Sequence, residues 1–159
     1  NMTGTTPSAW NDPAKGAELA KAQFDRGADV VYAAAGGTGI GVYQAAADNG
    51  KLAIGVDSNQ NHLQPGTMLT SMLKRVDNAT YDSFMDYKNG TFTSGVKVLG
   101  LAEDGVGWAL DDNNASLVTD AMQASIASMS DAIKSGSTSV HDYMTTNTCK
   151  SGDGSAFYN

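Results

Sequence analysis

Gly36, Gly37, Thr38 and Gly39 form a bare loop, and Asp57 follows some way downstream; by type and spacing these are the residues best suited to chemistry. A glycine loop that opens a helix presents backbone N–H groups to a polar or anionic ligand, and a carboxylate accepts hydrogen bonds from hydroxyls. The stretch from Ala28 to Asp57 also contains the elements needed to hold them together. Val30, Val31 and Tyr32 read as a buried parallel strand, the glycines follow at once, and from Ile40 the residues take helical spacing until Asn49-Gly50 closes the helix. A second strand over 52–56 then delivers Asp57. Ligands of open α/β sheets sit beyond the carboxyl ends of the strands, which is where the loop and Asp57 both fall.

Upstream, Asn11-Asp12-Pro13 supplies a cap residue and a first-turn proline, so a helix is expected to run from there to just before Gly27. Downstream, 58–66 is a polar loop turned by Pro65-Gly66, 68–73 a third strand, and 75–87 a helix closed by Asn89-Gly90. A fourth strand is expected over 96–101, a short fifth over 106–110, and a long helix over 117–134 stopped by Gly136. Met72, Met85, Met122 and Met129 fall on apolar faces and read as core filler. The tail over 151–159 is rich in Gly and Ser and is expected to be flexible. One domain over 1–150 fits the length of 159 residues, with 41% apolar residues and 18 glycines for its core.

Composition excludes several classes of function. A net charge of −7, with only 10 Lys and Arg, argues against a nucleic-acid partner. The single cysteine, Cys149, allows neither an intrachain disulfide nor a cysteine-based zinc site. His62 and His141 lack neighbours at metal-ligand spacing, and Asp111-Asp112-Asn113-Asn114 lacks the ligand order of a calcium loop and reads as a solvated acidic turn. No metal and no cofactor are expected. No nucleophile with a partner base is legible, so the chain is not read as an enzyme. No stretch is apolar enough for a membrane span, and the opening residues read as a loop after an absent strand, so an upstream part is expected.

Five ordered motifs carry a resemblance. They are Ser8-Ala9-Trp10-Asn11-Asp12-Pro13-Ala14-Lys15-Gly16, Gly27-Ala28-Asp29-Val30-Val31, Ala35-Gly36-Gly37-Thr38-Gly39, Ile54-Gly55-Val56-Asp57-Ser58 and Leu69-Thr70-Ser71-Met72-Leu73-Lys74-Arg75. Together they resemble the C-terminal half of the basic membrane protein family, substrate-binding proteins of bacterial ABC transporters similar to purine nucleoside receptors. The resemblance implies a three-layer α/β/α, mainly parallel sheet, the second lobe of a type I periplasmic-binding-protein-like fold. It implies a nucleoside ligand, a missing N-terminal lobe and an ABC transporter permease as partners. It further implies a place in the periplasm or on a lipid anchor outside the inner membrane.

The same resemblance gives each motif a task. Trp10 stands where the family has a stacking phenylalanine, and base stacking on such a ring contributes about 1–3 kcal/mol. Asp57 would accept from ribose hydroxyls, and Lys74 would donate to the same ribose or hold Asp57. Gly36 and Gly37 would admit the ligand to the backbone. The strands near 70–74 and 95–99 are the hinge candidates, and the helix over 75–89 would belong to the missing lobe. In that case Val76, Tyr81 and Phe84 lack a surface to bury against, and weak ligand affinity or dependence on a partner chain is expected. The blander roles are a packing anchor for Trp10, a turn cap for Asp57 and a surface cation for Lys74. The alternative function is an α/β enzyme of sugar phosphates or nucleotides, with the GGTG loop binding phosphate and Asp57 as base. The sensing domain of a regulator is a third class.

Overall fold

The computed structural model describes residues 6–147. Cys149 and the tail over 151–159 lie outside the described residues. Helix α1 (Pro13–Phe24) starts as the sequence dictates, with Pro13 in the first turn and the Asp12 carboxylate accepting from the Lys15 amide at 2.9 Å. Strand β1 (Val30–Tyr32), a 3-10 turn at Gly36–Thr38, helix α2 (Gly39–Asp48) and strand β2 (Leu52–Gly55) follow. Then come β3 (Met68–Lys74), α3 (Val76–Asn89), β4 (Val106–Trp108), α4 (Asp120–Lys134) and a last turn, α5 (Tyr143–Thr146).

The sheet runs β1-β2-β3-β4, with β1, β2 and β3 parallel and β4 antiparallel against β3. A register shift between Ala53 and Ile54 lets Met68 and Ser71 both turn to the buried face. Helices α1 and α2 cover that face. Their apposition rests on two glycines: a Cβ at Gly16 would collide with Thr38, and one at Gly41 with the Pro13 carbonyl. Tyr43, Ala46, Ala53 and Met68 are fully buried between these layers, each large side chain contributing about 1.5–3 kcal/mol. The other face is covered differently. Helix α4 stands over β2, β3 and β4 across an apolar cleft of about 470 Å³ that runs from Ile54 and Thr70 to Met122 and Ile126.

Four expectations are corrected. The stretch 96–101 is no strand: β4 takes the place beside β3, and Val96 and Val98, 95% and 86% exposed, find no partner strand. In β1 only Val31 is buried, because α1 and α2 cover a single face and leave Val30 and Tyr32 open. Met122 and Met129 are exposed along α4 and are not core filler; Met68 is. The run 111–114 is no solvated turn, for Asn114 is fully buried and Asp111 binds the loop across from it. Val76, Tyr81 and Phe84 do lack a covering surface, and α3 has no buried residue.

Candidate functional site

The carboxyl ends of three parallel strands meet at one edge of the sheet. Asp57 lies two residues beyond β2, and Lys74 is the last residue of β3. The two are joined twice: the Lys74 amide donates to the Asp57 carbonyl at 2.9 Å, and the Lys74 ammonium lies 2.7 Å from Asp57 Oδ1. Their side chains stay more than half exposed, so the pair contributes little to stability. The hydrogen bond from Lys74 to Asp57 and the carboxylate charge raise the lysine pKa above its ordinary value. Tyr32, at the end of β1, is near enough to add to that shift and is itself half exposed. The sequence marks Tyr32 only as a strand residue; its position as the last residue before the sheet edge is the signal for its place here.

Trp10 closes a 3-10 turn, Pro7–Trp10, and is 54% exposed. Its position is fixed from the glycine loop. Thr38, fully buried, donates through its hydroxyl to the Ala9 carbonyl at 2.7 Å and accepts from the Asp12 amide at 2.8 Å. A Cβ on Gly36 would lie 3.1 Å from the Trp10 carbonyl and 3.6 Å from its ring, and one on Gly37 would lie 3.1 Å from Asn11 Oδ1. The close approach these glycines permit is therefore made by the chain's own segment at Trp10 and Asn11. Gly36 also needs its glycine for conformation, with φ +54°.

Tyr43 ties the glycine loop to the Asp57 turn. A Cβ at Gly39 would come within 2.9 Å of its hydroxyl, and that hydroxyl donates to Gln60 Oε1 at 2.7 Å. The same Gln60 oxygen accepts from the Val56 amide at 3.1 Å. Burial, and then the charge of Asp57, push the Tyr43 phenol above its ordinary pKa and keep it a neutral donor. Below this layer Ser71 donates to Asn61 Oδ1 at 2.8 Å and accepts from the Gln60 amide at 3.0 Å, while Asn59 and Asn61 both donate to Asp111. Among the described residues no group of His, Cys, Asp and Glu could hold a metal, and His62 and His141 are exposed.

The sequence matches a known family. The profile described as "ABC transporter substrate-binding protein PnrA-like" matches residues 5–142. The chain belongs to this basic membrane protein family. It is similar to basic membrane protein D of Borreliella burgdorferi, 37% identical over 65% of this chain and 32% of that protein. It is also similar to an uncharacterized lipoprotein of Pyrococcus abyssi, 39% identical over 69% of this chain and 28% of that one. Among solved structures, an ABC transporter system solute-binding protein from Aeropyrum pernix K1 superposes with a TM-score of 0.69 at 26% identity, over 87% of this chain and 48% of that one. A transcriptional activator of the comK gene from Bacillus halodurans superposes with a TM-score of 0.74 at 25% identity, over 84% of this chain and 46% of that one. The chain thus spans about a third of the curated relatives and just under half of the solved chains. The family's α/β periplasmic-binding-like fold is the one seen here, a mainly parallel sheet between helices.

Proposed function

We propose that this chain is the second ligand-binding lobe of an ABC importer's substrate-binding protein, and that the ligand is a nucleoside, of the purine class. What supports this reading is an exposed indole packed against Gly36, in the loop after β1, together with an exposed Asp57–Lys74 pair at the ends of the neighbouring parallel strands β2 and β3. The indole offers a stacking face to a base, and the carboxylate offers acceptors to the two ribose hydroxyls. Lys74 holds one carboxylate oxygen and leaves the geometry of a vicinal diol to be met by the rest of the group. The chemistry is capture without bond making, as the family description implies.

Helix α3 fits the companion lobe. Its aromatic residues Tyr81, Phe84 and Tyr87 are all more than 60% exposed, a face that one lobe of a bilobed receptor can present to the other. The ends of β3 and the irregular stretch after α3 are then the hinge, and ligand closes the lobes by contacts made only in the closed state. The family and the lipoprotein relative support a place outside the cytoplasmic membrane, held by a lipid anchor, with an ABC permease as partner. The likeness to a transcriptional activator supports the same capture chemistry in a sensing domain as the second reading.

Calorimetry of the chain with adenosine, guanosine and inosine, their 2′-deoxy forms and their 5′-phosphates tests this. Free ribonucleosides are expected to bind, deoxy forms to bind at least about tenfold more weakly, and Trp10→Ala to lose most of the affinity. Binding of the 5′-phosphates alone, or turnover of any of them, would favour the sugar-phosphate or nucleotide enzyme.

A further inference from the structure

Asp57 has a backbone that an ordinary surface acid does not need. Its φ is +70°, in the left-handed region that Asp104 (φ +51°) and Asn147 (φ +50°) also enter, but here, across it, the Ser58 amide donates to the Val56 carbonyl at 2.8 Å. A bond from residue i+2 back to residue i over a positive φ is the rare, strained hand of γ-turn. Glycine would adopt it at no cost, yet this chain, with glycines at seven other left-handed positions among the described residues, carries a carboxylate here. Strain of this kind persists only where the surroundings impose it.

Those surroundings are two clamps. On one side Gln60 Oε1 accepts from both the Val56 amide and the Tyr43 hydroxyl, fixing the residue that enters the turn. Gln60 is itself fixed, because its amide donates to the fully buried Ser71 hydroxyl at 3.0 Å and its side chain packs against Gly55, where a Cβ would lie 3.0 Å from Oε1. On the other side the Lys74 amide donates to the Asp57 carbonyl. We infer that Gln60 is a positioning residue, which holds Asp57 in a strained γ-turn so that its carboxylate meets Lys74 and projects from the sheet edge toward the ligand. The last clause rests on the nucleoside reading; the clamp itself does not.

A melting-temperature cycle in the full chain separates the two. Asp57→Gly releases the strain, so it is expected to raise the midpoint by about 2–4 °C while Gln60 is present. With Gln60→Met, which keeps the side chain's length but not its acceptor, the turn relaxes and the same Asp57→Gly change is expected to raise the midpoint by less than about 1 °C. Tyr43→Phe, which removes only the far bond to Gln60, is expected to give an intermediate value. The second readout is the Lys74 ammonium by NMR titration: its pKa is expected to fall back toward that of a free lysine in Gln60→Met. Equal effects of Asp57→Gly in both backgrounds, or an unmoved Lys74, would overturn the clamp.

Ligand binding then tests the aim of the clamp. Gln60→Met is expected to weaken guanosine binding about tenfold, although the hydrogen bonds of Gln60 go to Tyr43, Val56 and Ser71. Unchanged affinity in that variant would overturn the positioning role. A two-lobed receptor containing this chain that binds no nucleoside, with the melting cycle and the Lys74 shift as expected, sinks the nucleoside reading and leaves the strained turn in place.

Discussion

The face of the sheet under α1 and α2 and the rest of the molecule are built to different standards. Under α1 and α2 every layer is closed: Tyr43, Ala46, Ala53 and Met68 are fully buried, the glycines bring the helices to backbone contact, and the buried Thr38 and Ser71 hydroxyls have partners. Beyond it, α3 buries nothing and α4 leaves Met122, Ile126 and Met129 exposed along two apolar clefts. The amphipathic patterns of the two halves are similar in kind. What differs is whether a second surface exists to receive them, which teaches that the described residues hold one closed core and two apolar faces left open.

The contrast is broken most directly by mutations of matched size in the two regions. Tyr43→Ala is expected to cost about 3–5 kcal/mol in chemical denaturation, since it empties the centre of the closed layer and orphans Gln60. A cost under about 1 kcal/mol would mean that the layer is not the core. Gly41→Ala comes next. Alanine gains about 1 kcal/mol of helix propensity, but the new methyl meets the Pro13 carbonyl of α1, and a net loss of about 1–3 kcal/mol is expected.

A smaller effect separates the polar scaffold from the exposed ion pairs. Hydrogen bonds from Asn59, then from the Asn113 amide, hold the Asp111 carboxyl below its usual pKa. A carboxylate with a depressed folded pKa contributes stability above its unfolded pKa and loses it as pH falls through the folded value. The melting-point gap between the native chain and Asp111→Asn is therefore expected to be widest near about pH 7 and to close as the pH drops below the ordinary carboxylate range of about 4. A gap that widens on acidification would reverse the sign. Smallest of all, Phe84→Ser in α3 is expected to change stability by less than about 0.5 kcal/mol, because Phe84 is 71% exposed. A large loss there would show α3 packed in solution, and light scattering would then find a second copy upon it.

Much of the site was legible because it depends on local chemistry. Asp12 and Pro13 had to open a helix, Asn89-Gly90 had to end one, and the glycine run after a β-branched strand had to turn the chain. The contact of Lys74 with Asp57 was one of the two roles that the family resemblance implied for Lys74, and the ion pair is present. The tasks of Gln60, Thr38 and Tyr32 were not legible: Thr38 acts on Asp12, 26 residues away, Tyr32 on Lys74 across the sheet, and Gln60 gathers Val56, Tyr43 and Ser71 at separations that no helix or strand period marks.

Sequence alone determined where α1 to α4 and the three parallel strands lie, because caps, turns and hydrophobic periodicity act over a few residues and are written in order along the chain; five ordered motifs carried the family resemblance. Only the tertiary structure decided that Val96 and Val98 pair with nothing, that 111–114 folds inward, and that the glycine loop is filled by Trp10 and Asn11. Burial and pairing require a second surface, and whether one arrives is a property of the packed whole and not of any segment within it.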